Sequence, residues 1–127
     1  MVITGIVSTS VFVKDQQESL NFWIEKLGFE VICDIKLESN IRWVEIAPIS
    51  SNSSINLYPK SLISKKDLKP MPVIVFRTDD IRTTFKNLKA KGVTFSRNPL
   101  KSILGIYAMF KDLDGNEFLI LEKPKKI

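Results

Sequence analysis

The chain contains no histidine. That absence removes every Ser-His and Cys-His nucleophile pair, and with them the side chain that most often acts as a general base near neutral pH. It also removes the commonest transition-metal ligand. A metal site in this chain would have to rest on carboxylates, amides or a thiol. Cysteine is nearly absent too. The lone Cys33 rules out an intrachain disulfide, and it lies in the strand-like stretch FEVICDI, where a small buried hydrophobe is the expected role. A nucleophilic thiol is activated by a neighbouring base or cation, and no imidazole exists to serve. Long apolar runs are missing as well. No stretch approaches the roughly 18 residues needed to span a bilayer, and the opening MVITGIVSTSVFV has no basic segment ahead of an apolar core. These absences predict a cytoplasmic protein with no membrane partner.

What is present fits an ordinary globular chain. Its 127 residues are 44% apolar and 26% charged, enough for one domain with its own core. The net charge is +5, but the lysines are dispersed apart from Lys65-Lys66 and the tail at residues 123–126. A basic balance attracts phosphate, yet scattered lysines are the pattern of a solvated surface, so no nucleic-acid partner is expected.

The chain repeats itself weakly. SVFVKDQQESLNFWIEKLGFEV (10–31) and IVFRTDDIRTTFKNLKAKGVTF (74–95) align at a constant offset of 64 residues. Phe12 pairs with Phe76, Asp15 with Asp79, Ser19 with Thr83, Ile24 with Leu88 and Gly28 with Gly92. Each copy reads as a strand, an acidic helix start, an amphipathic helix, a glycine stop and another strand. In the first, Asp15 followed by Glu18 predicts an N-cap. Leu20, Trp23, Ile24 and Leu27 fall on one helical face, and Gly28 can take the left-handed position that ends the helix. In the second, Asp79 or Asp80 caps, Ile81, Phe85 and Leu88 form the stripe, and Gly92 stops it.

Further strand signals follow each helix: FEVICDIKL, IRWVEIAPI and SINLYP, then VTFS, GIYAMFK and EFLILE. Asn52, Ser53 and Ser54 predict one hairpin turn, and Asp114-Gly115 another. The polar, proline-bearing stretch KSLISKKDLKPMP suits a linker. The fold class is therefore α+β, with two tandem βαβββ units at about 3–59 and 72–123 joined by a linker at about 60–71. A helix with a single apolar stripe needs a sheet to lie on, which leaves the other face of each sheet for a partner.

The opening FVKDQQESLNFWIEKLGFEV and the closing FKDLDGNEFLILE together resemble the two signatures of the glyoxalase / bleomycin-resistance / extradiol-dioxygenase (vicinal oxygen chelate) superfamily. The resemblance covers nearly the whole chain. It implies two βαβββ units that form an open, barrel-like cavity, and a homodimer. In metal-using members it implies a divalent cation on His, Glu or Gln from the first and last strands of each unit. The matching positions here are Ser8, Asn56, Val73 and Leu119. Valine and leucine have no lone pair to offer, and serine and asparagine are weak neutral ligands. The resemblance therefore implies a member without metal ligands, and neither a metal nor another cofactor is expected.

Alternation then assigns faces. With Ser8 facing the cavity, so do Ser10 and Phe12, while Val11 and Val13 pack beneath the helix. Asn56 and Tyr58 face inward, as do Val73, Val75 and Arg77, and so do Glu117, Leu119 and Leu121. In the middle strands the phase is open: Trp43 with Glu45, and Tyr107 with Met109, are taken as inward, against Arg42, Val44 and Ile46. Ser8, Ser10, Phe12, Trp43, Glu45, Asn56, Tyr58, Val73, Tyr107, Met109 and Leu119 form the candidate ligand-binding set. Glu45, between Val44 and Ile46, is costly to bury alone. It is expected to pair with a lysine at the rim, or to act as a ligand group or general base.

Three functions stay open. The first is a metal-free protein that binds a small, partly aromatic, neutral or anionic molecule, as in drug sequestration. The second is a metal-independent isomerase or lyase with Glu45 as base. The third is a non-catalytic interaction domain.

Overall fold

Two helix starts organise the two halves of the chain. A computed structural model describes residues 8–38, 41–62, 74–102 and 105–122. The chain divides into two compact units, Met1–Leu68 and Lys69–Ile127. Unit 1 holds β1 (Ser8–Val13), α1 (Gln16–Glu25), β2 (Glu30–Glu38), β3 (Ile41–Ala47) and β4 (Ser54–Pro59). Unit 2 holds β5 (Ile74–Arg77), α2 (Ile81–Ala90), β6 (Thr94–Ser102), β7 (Gly105–Lys111) and β8 (Glu117–Glu122). The sheets have the orders β1-β4-β3-β2 and β5-β8-β7-β6. In each the first strand runs parallel to the last, and the remaining pairs are antiparallel.

The caps form as the sequence predicts. Asp15 has an extended backbone and its Oδ1 accepts from Glu18 N at 2.9 Å. At the second start it is Asp80 that caps, taking Thr83 N at 3.1 Å and Thr83 Oγ1 at 2.9 Å. Those two donors hold the Asp80 carboxyl below its ordinary pKa. Gly92, at φ +90°, closes α2: its N–H reaches Lys89 O, and Val93 N–H reaches Leu88 O, both at 3.0 Å. An Asp15→Ala variant is expected to lose about 1 kcal/mol of unfolding free energy, read by urea denaturation. An unchanged midpoint would show that water replaces the cap without cost.

In unit 1, α1 packs on β3 and β4, and Val11, Val13, Val44, Ile46, Ile55 and Leu57 are all buried beneath it. Each such side chain contributes about 1.5–3 kcal/mol relative to exposure. The buried stripe of α1 differs from expectation. Leu20, Phe22 and Trp23 are buried, whereas Ile24 and Leu27 are only half-buried. Phe22 and Trp23 meet edge to face at 5.7 Å, and Trp23 also meets Phe29 at 5.0 Å. In unit 2, Phe76, Phe95, Phe110 and Phe118 form a linked ring cluster beside α2, with Phe85 against Phe95.

Three local expectations are corrected, and the linker is described only at its start. The first hairpin turn covers residues 48–53, with Ser50 at φ +64° and Ser51 N–H bonded to Pro48 O, and Ser54 already belongs to β4. The expected linker begins with a short 3-10 turn at Lys60–Leu62, and its remainder lies outside the described residues. β6 runs on from the VTFS signal to Ser102 because, as an edge strand with register irregularities, it accommodates Pro99. Cys33, expected to be buried, is half-exposed, because its register with Glu45 puts it on the helix-free face of the sheet.

Candidate functional site

Strand pairing decides which side chains meet. In unit 1 the register sets Ser8 beside Ser54, Ser10 beside Asn56 and Phe12 beside Tyr58. Asn56 in turn lies beside Glu45, which lies beside Cys33, while Trp43 lies beside Ile35. Val44 and Ile46 are buried under α1, so Trp43 and Glu45 belong to the helix-free face. This resolves the open phase of β3 in favour of that pair. The helix-free face of unit 1 therefore gathers Ser8, Ser10, Phe12, Trp43, Glu45, Asn56 and Tyr58.

The polar groups of this face bond to one another. Ser10 Oγ donates to Asn56 Oδ1 at 3.1 Å, and Asn56 Nδ2 donates to Ser8 Oγ at 2.7 Å. Trp43 Nε1 donates to Glu45 Oε1 at 2.6 Å, and Ser54 Oγ donates to Glu45 Oε2 at 3.0 Å. The expected lysine partner of Glu45 is thus replaced by two neutral donors. Asn56 is 3% exposed, and its bonds to both serines explain how an amide survives there. Phe12 and Tyr58 meet edge to face at 6.1 Å. The turn signal does not reveal this role of Ser54, although alternation from Asn56 places it on this face.

In unit 2 the helix-free face is apolar with basic margins. Met109, Leu119 and Val75 form one cross-strand row, and Tyr107, Leu121 and Arg77 form the next. Val75 is 56% exposed. Arg97, paired in register with Met109, stacks its guanidinium over Tyr107 at 6.0 Å, a contact that periodicity alone does not reveal. Val73 lies outside the described residues.

The donor set does not fit a divalent cation. Asn56 Oδ1 and Ser8 Oγ are engaged within the serine–asparagine chain, and the Leu119 side chain has no donor atom. Glu117, on the same face as Leu119, lies in register with Lys111.

The closing turn forms at the expected Asp114-Gly115 pair, with one further residue holding it. Gly115 supplies φ +81°, but Asp112 organises the loop. Its Oδ1 accepts from Asp114 N at 3.0 Å and Asn116 N at 2.8 Å, and its Oδ2 from Asn116 Nδ2 at 2.9 Å. Burial pushes the Asp112 carboxyl above its ordinary pKa, against the pull of these donors.

A sequence model of the Glyoxalase/Bleomycin resistance protein/Dioxygenase superfamily matches residues 5–120. The uncharacterized protein YetH of Bacillus subtilis (strain 168) is 35% identical over 120 residues, spanning 94% of this chain and 99% of its own. Among solved structures, a member of that superfamily from Sphaerobacter thermophilus DSM 20745 superposes with a TM-score of 0.85 at 32% identity, covering 95% of this chain and 98% of its own. TnmS3, an antibiotic binding protein from Streptomyces sp. CB03234, superposes with a TM-score of 0.84 at 27% identity, covering 98% of this chain and 99% of its own. The two four-stranded sheets and two helices match the fold of these structures.

Proposed function

Starting from the fact that this chain belongs to the Glyoxalase/Bleomycin resistance protein/Dioxygenase superfamily, we propose that it binds a small, partly aromatic molecule without a metal, as a sequestering or resistance protein does. The observation that carries this reading is the helix-free face of unit 1. There, aromatic surface from Phe12, Trp43 and Tyr58 adjoins a row of polar side chains hydrogen-bonded to one another. Apolar surface with a few placed polar groups is the make-up of a small-molecule site. The similarity to an antibiotic binding protein supports the same class of ligand. The Glu45 carboxylate fits a positioning role: it holds the Trp43 indole through Nε1 and the Ser54 hydroxyl through Oγ. The reading takes the protein as a cytoplasmic homodimer. Among the described residues no helix is long and apolar enough to cross a membrane.

The test is a thermal-shift screen of neutral and anionic aromatic antibiotics and metabolites, run with and without a chelator. A ligand present at 100 times its Kd adds roughly 2.7 kcal/mol of stability. At least one compound is expected to raise the melting temperature equally in both conditions. A blank screen would sink the binding reading, and a shift abolished by chelator would sink its metal-free part.

A further inference from the structure

The hydrogen bonds on the helix-free face of unit 1 have a direction, and that direction leaves one proton over. A serine hydroxyl carries one proton and two acceptor lone pairs, and an asparagine amide has separate donor and acceptor ends. Ser10 uses its proton on Asn56 Oδ1. Asn56 Nδ2 uses one of its protons on Ser8 Oγ. Ser8 is thus an acceptor in this chain of bonds, and its own O–H has no partner among the described residues. The chain is anchored at its centre by Asn56, which is 3% exposed, so the orientation of Ser8 Oγ is set from below.

The neighbouring strand adds a charge. Glu45 is in register with Asn56, and its two oxygens already accept from Trp43 and Ser54. A carboxylate in the same row repels a second anion, so it disfavours a carboxylate or phenolate near Ser8. A neutral oxygen carries no such penalty. The rings of Phe12, Tyr58 and Trp43 on the same face suit a flat apolar body.

Building on the proposed binding function, we infer that Ser8 Oγ–H is the hydrogen-bond donor this face offers its ligand, and that the ligand meets it with a neutral carbonyl oxygen on an aromatic ring system. The donor stands at the position where the superfamily resemblance implies a metal ligand. A directed hydroxyl there would polarise or orient a carbonyl weakly, which suits retention of the ligand and not its conversion.

The test uses a matched pair of probes, fluorenone and fluorene, which differ by the carbonyl oxygen. Both are titrated against the full chain by quenching of tryptophan emission. Fluorenone is expected to bind roughly fivefold more tightly, the worth of one neutral hydrogen bond. Ser8→Ala should erase that preference, and Ser8→Thr, which keeps a hydroxyl, should restore it. Asn56→Asp replaces the amide donor by an acceptor, so Ser8 turns its proton inward. That variant should lose the preference with the serine still in place, which a merely structural role for Ser8 does not predict.

Equal affinity for the two probes in the wild type would overturn the assignment. So would a preference that survives Ser8→Ala, or one lost in Ser10→Ala and kept in Ser8→Ala, which would put the spare proton on the other serine. Failure of the folded wild type to bind either probe would overturn this assignment. The binding reading itself would stand or fall on the wider thermal-shift screen.

Discussion

Replacing Gln16 by alanine is expected to lower the unfolding free energy by about 3 kcal/mol. Gln16 is 8% exposed at the first position of α1, and its amide bolts the helix to two strands. Nε2 donates to Arg42 O at 2.7 Å and to Leu57 O at 2.8 Å, while Oε1 accepts from Arg42 N at 3.2 Å. The bond to Leu57 O of β4 is buried, and the two to Arg42 of β3 are part-buried. Alanine removes all three bonds and leaves those groups unpaired, each at about 1–3 kcal/mol before relaxation. Gln16→Glu should be at least as damaging, since a carboxylate would then face two carbonyl oxygens. Urea unfolding read by tryptophan fluorescence checks this through a lower midpoint at unchanged slope. A loss below about 1 kcal/mol in the alanine variant would show that the helix is held by packing alone.

Asp112 is expected to give the second largest effect. Asp112→Ala removes the acceptor of three hydrogen bonds that shape residues 112–116, at about 2 kcal/mol. Asp112→Asn keeps an oxygen for the two backbone amides and loses mainly the contact with the Asn116 side chain, so it should cost less. The pH dependence carries a definite sign. Burial raises the folded-state pKa of Asp112 above its ordinary value. The stability linked to this group is therefore fully present below the ordinary carboxylate pKa and is lost as pH rises through the raised one. The asparagine variant lacks that term. The stability of the wild type relative to Asp112→Asn should fall as pH rises across that window. A relative stability that rises with pH would mean that the three donors outweigh burial, and the electrostatic account of the turn would fail.

Much of the fold is legible in the sequence because its signals are local. A capping aspartate acts within three residues, and a helix stop needs one glycine at positive φ. The stretches SINLYP, GIYAMFK and EFLILE coincide with strands because short, largely apolar runs bounded by turn residues favour extended backbone. The misses have equally physical causes. Phe22 is buried and Ile24 is not fully so, because the covered arc of α1 depends on where β3 and β4 lie beneath it. The strand that begins at the VTFS signal runs on through Pro99, because an edge strand can spare the N–H that proline lacks.

The candidate site shows the same division. The chain's composition excludes an imidazole, its internal repeat marks two βαβββ units, and the superfamily resemblance implies that Ser8, Asn56, Val73 and Leu119 stand at metal-ligand positions. How Ser8 and Asn56 engage one another follows from strand pairing. The bond from Ser8 to Asn56 joins residues 48 apart in the chain, and Ser10 bonds to the same amide from 46 residues away. Glu45 finds Trp43 and Ser54 where a lysine was expected, and Gln16 reaches Leu57 across 41 residues. These partners are set by strand order and register. The parallel pairing of β1 with β4 arises from the crossover through α1 and from burial of both strands' apolar sides, which no local stretch encodes.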